Sequence, residues 1–254
     1  MNIVYYIAFF ILGTILGSFY HVVGMRLAKG ESINYPGSHC DHCHHPLKAG
    51  DLVPLFSYLF QRGKCRYCHE KISYLHPVVE ASTGLLFFIA YYSFGFSWDL
   101  LLALGIISLL VIVIVSDLSY LIIPDEVVVF FAIYFLLVQF LKGGISQFLL
   151  SLGSGLFLFL TMYGLMLLGN FLFKKESLGG GDIKLMFLVG IVLEPFLGLV
   201  NIFLASVFAL PVSLFLYREK EETIIPFGPF LLLAFLLLFF MKIDQETVLS
   251  WFKF

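Results

Sequence analysis

Two aspartates and four cysteines carry the chemistry that can be read directly from this chain. Asp117 closes the apolar run LLVIVIVS, and Asp182 closes Gly179-Gly180-Gly181-Asp182. A carboxylate at or inside a hydrocarbon span is costly and is a functional-site candidate by default. Two aspartates sharing a site cannot both ionise comfortably, so they hold one proton between them. The ionised member takes a proton from a bound water, while the protonated member polarises a peptide carbonyl and stabilises the tetrahedral intermediate. That is aspartyl proteolysis. Such a pair titrates as a unit, so neither role is assigned to one residue. The glycines before Asp182 allow unusual φ/ψ and a close approach by a substrate strand. A plainer reading competes: both aspartates are helix N-caps, and Asp182 sits where a cap belongs. Of the other acids, Asp99 beside Trp98 reads as interfacial and Asp125 after Pro124 as a first-turn acid. Lys184 reads as an anchor at the inner interface, with an auxiliary role at the site as the alternative.

The cysteines form two knuckles, Cys40-x2-Cys43 and Cys65-x2-Cys68, separated by 21 residues. That spacing suits one tetrahedral four-thiolate zinc ion. Four thiolates leave no open position for water, so the ion is structural, and a polar loop with little core of its own would take its folding free energy from the metal. Each knuckle is followed by histidine, Cys43-His44 and Cys68-His69, so both also fit the C-x-x-C-H pattern of haem attachment. Paired disulfides are a second rival, disfavoured in a reducing compartment. His42, His44, His45 and His69 face solvent, and one of them is a substitute ligand in reserve.

The elements that must position these groups are membrane helices. The chain has 254 residues, of which 60% are hydrophobic and 13% charged, with a mean hydropathy of +0.98. A soluble domain carries about 25% charged residues. This composition excludes an ordinary cytosolic enzyme, a disordered chain and a secreted disulfide scaffold. The net charge of −2 offers no footprint for nucleic acid. The expected fold class is an all-α integral membrane protein, with spans near 2–25, 77–95, 98–116, 124–141, 147–173, 183–193, 196–217 and 227–241. The sixth is short enough to be a half-helix, which makes eight spans, or seven and a partial one. Glu194-Pro195 breaks it from the seventh, because proline has no N–H to donate.

Three parts follow: residues 1–26 as a first, retained span, 27–76 as a zinc-binding loop, and 77–254 as a polytopic membrane domain that holds both aspartates. All seven histidines, all four cysteines and seven of the fifteen Lys and Arg lie between His21 and His76. With the N-terminus outside, twelve of the fifteen cations fall on the cytoplasmic side. That puts the loop, Asp117 and Asp182 at the cytoplasmic face.

In the order in which they occur, these segments resemble those of the prepilin peptidases, the type IV leader peptidases of the GxGD aspartyl protease group. The resemblance runs through Gly17-Ser18-Phe19 with Arg26, both knuckles, and Pro54 in DLVPLFSYLF. It continues with Arg62-Gly63-Lys64-Cys65, His76-Pro77-Val78-Val79-Glu80, and Asp117 with Ile123-Pro124-Asp125. LGGGDIKL at 178–185 and Pro226-Phe227-Gly228-Pro229 complete it. It implies that Asp117 and Asp182 are the catalytic pair, that Gly179 and Gly181 are the glycines of the GxGD loop, and that Cys40, Cys43, Cys65 and Cys68 bind zinc. It also implies cleavage of the basic leader of prepilins or pseudopilins, followed by N-methylation of the new terminus with S-adenosylmethionine. The zinc loop is associated with that second step. Glu80 matches a family acid and is an auxiliary candidate, with capping of the second span as its plainer role. His21 stands where the family commonly has asparagine, and Leu178 where methionine is frequent. The partners implied are pilin-type substrates and the lipid bilayer of the cell membrane. The alternative function is an ion or metal transporter using the membrane acids, which would want them near the midplane. A non-enzymatic zinc-loop protein explains the cysteines but not the Gly-Gly-Gly-Asp turn, and a general intramembrane protease leaves the zinc loop unexplained.

Overall fold

The computed structural model describes residues 3–174, 178–219, 226–243 and 247–248. Lys175, Lys220 and Lys253, which enter the charge count above, lie outside the described residues. The chain forms two compact units, Met1–Phe96 and Ser97–Phe254.

The first unit pairs α1 (Ile3–Ala28) with α3 (Leu75–Phe94). At 1.5 Å per residue both reach the roughly 30 Å of a hydrocarbon core. Lipid gives helices no hydrophobic reason to associate, so membrane helices pack through small residues. A Cβ on Gly13 would stand 2.8 Å from the Gly84 Cα and the Thr83 carbonyl, and one on Gly17 2.9 Å from Thr83. Tyr6 meets Tyr91 and His21 meets His76, so the partner's number falls as α1 ascends and the pair is antiparallel. Ala28 and Leu75 therefore emerge at the same end. The loop between them carries α2 (Phe56–Phe60). The compact unit thus claims α3, which the sequence division had grouped with the later spans. The cause is the glycine seam.

The second unit holds α4 (Trp98–Tyr120), α5 (Asp125–Phe173), α6 (Gly180–Val192), α7 (Pro195–Glu219) and α8 (Gly228–Phe240). Most of α4 is buried, as expected of a helix apolar all round. The first part of α5 returns antiparallel to it: the Tyr134 hydroxyl donates to Leu101 O, and Lys142 pairs with Asp99 at 2.6 Å. α5 bends at Gly143-Gly144, where φ +68° and ψ −159° at Gly144 suit only glycine. That bend separates the two spans expected at 124–141 and 147–173.

α6 and α8 have 13 residues each, about 20 Å of helix, short of the hydrocarbon thickness. A short helix leaves its last carbonyls in need of donors. Buried Gln139 donates its amide to Ile191 O at 2.9 Å, near the C-terminal end of α6. Buried Asn201 of α7 instead donates to Leu231 O in the first turn of α8, at 3.3 Å, and so ties the two helices together. α6 packs on α5 so closely that a Cβ on Gly190 would lie 2.6 Å from Ser154 O.

Gly13→Ala and Gly190→Ala are each expected to destabilise the protein by about 1–3 kcal/mol. Gly153→Ala, whose Cβ meets nothing within 4 Å, should leave stability unchanged. Thermal unfolding in detergent measures all three.

Candidate active site and metal centre

Asp117 lies in the last turn of α4, and Asp182 is the third residue of α6. Both are buried. The N-cap reading fails for Asp117. A carboxylate at the negative end of a helix is electrostatically unfavourable, so helix stability does not account for it. Asp182 does serve its helix start, because the Gly179 N–H faces its carboxylate.

The two aspartates meet through three neighbouring ends. α8 packs on both α4 and α6, and its first residue, Gly228, aims its backbone N–H at the Asp117 carboxylate. A Cβ on Gly228 would stand 3.0 Å from Asp117 Oδ2 and 3.1 Å from Ile123 Cδ1. Ile123, in the turn after α4, also fills the space beside Gly181, where a Cβ would come within 2.9 Å. Two bare backbones thus close on one isoleucine, which draws the Asp182 turn and the α8 start toward Asp117. The carboxylates are near enough for the charge of Asp117 to act on Asp182. The N-termini of α6 and α8 both open toward the pair, and helix N-termini favour negative charge.

The glycine rationale needs correction. Gly179 has φ −69° and ψ 139°, open to any residue, and none of the three glycines has a positive φ. Gly181 is needed for space, beside Ile123. A Cβ at Gly179 would touch Asp182 Oδ2 at 3.3 Å, whereas one at Gly180 meets nothing within 4 Å. Lys184 forms an ion pair with Asp125, so its charge is engaged beside the dyad. Sequence reasoning noted Pro226-Phe227-Gly228-Pro229 without giving it a role. Its available sign was a glycine at a helix start followed directly by proline in the first turn.

In the first unit, the sulfurs of Cys40, Cys43, Cys65 and Cys68 all lie within 4.8 Å of one another. Cys40 and Cys68 are 3.8 Å apart. A tetrahedral zinc with Zn–S near 2.3 Å spaces its sulfurs about 3.8 Å apart, so this donor set fits the ion. The knuckles match each other. His44 N–H returns to Cys40 O and His69 N–H to Cys65 O, with the two histidines at φ +54° and +58°. Histidine after each knuckle is thus a left-handed turn residue, a conformation it tolerates better than most. Four sulfurs converging on one point fit a single ion, and neither separate haems nor two disulfides call for that convergence. The backbone N–H groups of Cys68 and Tyr67 hold the Cys65 thiol down at about 7.

Asp51 ties the loop together, and the sequence reading missed it. Its side chain is 2% exposed. It accepts from Lys48 N–H (3.2 Å), Gln61 Nε2 (3.1 Å), Arg66 Nη1 (3.3 Å) and Tyr67 OH (3.3 Å). Buried Glu80 sits in the second turn of α3, too deep to cap it, and accepts the Leu55 N–H at 2.8 Å.

Residues 11–94 match the bacterial peptidase A24 N-terminal domain, and residues 102–214 match the type IV leader peptidase family. The prepilin leader peptidase/N-methyltransferase of Bacillus subtilis (strain 168) is 38% identical over 185 residues, 72% of this chain and 72% of that protein. This chain belongs to the type IV leader peptidase family. The enzyme of the same name from Stutzerimonas stutzeri is 30% identical over 265 aligned residues, 88% of this chain and 86% of that protein. That of Vibrio cholerae serotype O1 is 32% identical over 266, 94% and 98%. No solved structure matches the chain. The two regions recognised as leader peptidase fall one in each compact unit, the first around the cysteines and the second around the aspartates.

Gly228→Val should displace the Asp117 carboxylate and lower leader removal by roughly a hundredfold, the scale of a 1 Å misplacement, with zinc content unchanged. Cys65→Ser should abolish stoichiometric zinc in purified protein, and zinc binding by the parent should weaken as pH falls, because protons compete with the metal for the thiolates. Metal analysis and cleavage assays on one preparation read both.

Proposed function

We propose that Asp117 and Asp182 form the catalytic dyad with which this leader peptidase removes the leader of type IV prepilins or pseudopilins. The observation that carries the reading is the meeting of two buried carboxylates at three helix ends, in a chain otherwise built of hydrocarbon. The ionised carboxylate takes a proton from water as its oxygen attacks the scissile carbonyl carbon. The protonated carboxylate donates to the carbonyl oxygen. Collapse of the tetrahedral intermediate breaks the C–N bond, and the proton taken from water passes to the departing amine. The Gly228 N–H and the starts of α6 and α8 support negative charge on the dyad as it cycles. Gly179 and Gly181 keep that approach free of side chains.

Leader removal exposes a new α-amine, and N-methylation of that amine is the second activity. S-adenosylmethionine is the methyl donor in this reading, its sulfonium supplying the methyl group. Cys40, Cys43, Cys65 and Cys68 hold a structural zinc ion with no vacant position, so the metal shapes the loop and performs no chemistry. Glu80 and Lys184 act as positioning groups, the first through the Leu55 amide and the second through Asp125.

The protein is a multi-pass membrane protein. We place the N-terminus outside and the cysteine loop and dyad on the cytoplasmic side. The count of cations supports this. A prepilin carries its basic leader in the cytoplasm just before an apolar helix, so its scissile bond lies at that depth. Transport is not favoured, because both acids sit at helix ends on one face and not at a midplane site.

Incubated with a prepilin and S-adenosylmethionine, the parent should yield a shortened product heavier by one methyl group. Asp117→Asn and Asp182→Asn should each lower cleavage by roughly a thousandfold or more. Full cleavage by either variant overturns the dyad. Chelation of zinc should suppress methylation and spare leader removal. Mass spectrometry of the new N-terminus reads every case.

A further inference from the structure

The short helix α2 is left with an apolar face that the rest of its own unit does not cover. Phe56, Leu59 and Phe60 stand at i, i+3 and i+4, so they share one side of the helix. They are 61%, 70% and 84% exposed, and Leu52 and Val53 just before them are exposed too. An apolar cluster of this size on a polar loop marks a binding surface.

Its position selects the occupant. The Leu55 amide, from which α2 starts, is bonded to Glu80 of α3. Glu80 lies five residues into α3, about 7.5 Å along the helix axis from its beginning. His21 of α1 and His76 of α3 pack at 4.2 Å near the same level, where polar side chains of the two helices give way to apolar ones. Leu55 itself is held at φ +62° and ψ −48°, a backbone state that a non-glycine residue keeps only when its surroundings hold it. The loop is therefore pinned at one depth, the edge of the bilayer. A cleft of about 650 Å³ beside α2 has Val53, Phe56 and Phe60 on its lining together with Lys64 and Arg66. From Lys48 to Arg66 the chain carries four cations and a single acid, Asp51, which is already bonded to Arg66.

We infer that the segment 52–66 is an interfacial anchor: Phe56, Leu59 and Phe60 enter the acyl boundary, and Arg62, Lys64 and Arg66 meet anionic phospholipid headgroups. Apolar side chains beside cations at headgroup depth are what an interfacial helix needs, and cations near an anionic leaflet strengthen such binding. The anchor holds the zinc loop flat against the membrane. The inference rests on α1 and α3 spanning the bilayer and not on the chemistry of the dyad.

The test uses the full chain in phosphatidylcholine vesicles with or without phosphatidylglycerol. Phe60→Trp adds an indole to the native Trp98 and Trp251. Relative to the parent, the added emission should be blue-shifted, shielded from aqueous acrylamide and quenched by lipids brominated near the top of the acyl chain. Phosphatidylglycerol should strengthen that quenching, and Arg62→Ser with Lys64→Ser should remove the strengthening. Added emission that brominated lipid does not quench overturns the inference, whether the indole proves open to acrylamide or covered by protein. Persistence of the phosphatidylglycerol effect without Arg62 and Lys64 overturns the role of the cations. The native tryptophans serve as control: if brominated lipid quenches them alone, the spans stand and the anchor falls. Should Phe60→Trp fail to accumulate, a photoactivatable phosphatidylglycerol applied to the unmodified protein decides. Label within 52–66 supports the anchor, and label confined to the long helices rejects it.

Discussion

Everything in the second unit answers to one constraint, that two carboxylates must be held together where hydrocarbon surrounds them. Charge is tolerated at that depth only with polar partners or water nearby. The fold supplies partners from backbone alone. Gly228 turns an N–H toward Asp117, Gly179 turns one toward Asp182, and two helix N-termini converge from the same side. Asp117 nonetheless sits at the wrong end of α4 for a negative charge, a local cost that helix stability does not explain. Bare glycine at 181 and 228 is what permits the convergence. With Cβ atoms there, Ile123 would be forced out and the three ends would part.

The same constraint explains the shortness of α6 and α8. A dyad at helix ends needs ends at the right level, and a helix that starts there with 13 residues terminates before it has crossed a full hydrocarbon core. The carbonyls at such a terminus cannot be left to lipid. Gln139 reaches from α5 to the end of α6, and Asn201 reaches from α7 to α8. These amides have no part in the reaction. Gln139 satisfies a carbonyl at the end of the short α6, while its own Oε1 and the Oδ1 of Asn201 are buried without a partner among the described residues.

The first unit meets the opposite problem. Its loop is polar and short of core, so order has to come from a few strong ties. One is the four-thiolate cluster. The second is Asp51, whose four donors join the segment at 48–61 to the second knuckle. The third is Glu80, which fastens the loop to α3. Disruption of the four-thiolate cluster therefore frees more than the knuckles: Arg66 and Tyr67 lie between Cys65 and Cys68, and both bond Asp51.

What could be read from the sequence, and what could not, follows from the same physics. The cysteine pairs were legible because a tetrahedral ion fixes spacing along the chain. The membrane fold and most span limits were legible because bilayer thickness fixes the length of apolar runs. Asp117 and Asp182 stood out because an acid in hydrocarbon demands a reason. Gly228, Asp51 and Gln139 were not legible as parts of these sites. Each acts on a partner distant in sequence, and nothing at its own position distinguishes it from an ordinary turn glycine, loop acid or membrane amide. The glycines before Asp182 show the limit most clearly. Unusual φ/ψ is not what they supply, because the backbone there is ordinary, and the empty space beside Gly181 is set by Ile123, about sixty residues earlier in the sequence. A local pattern announces chemistry when the chain itself must obey a metric, such as a knuckle or a span length. When the requirement is set by a neighbour across the fold, only the folded arrangement states it.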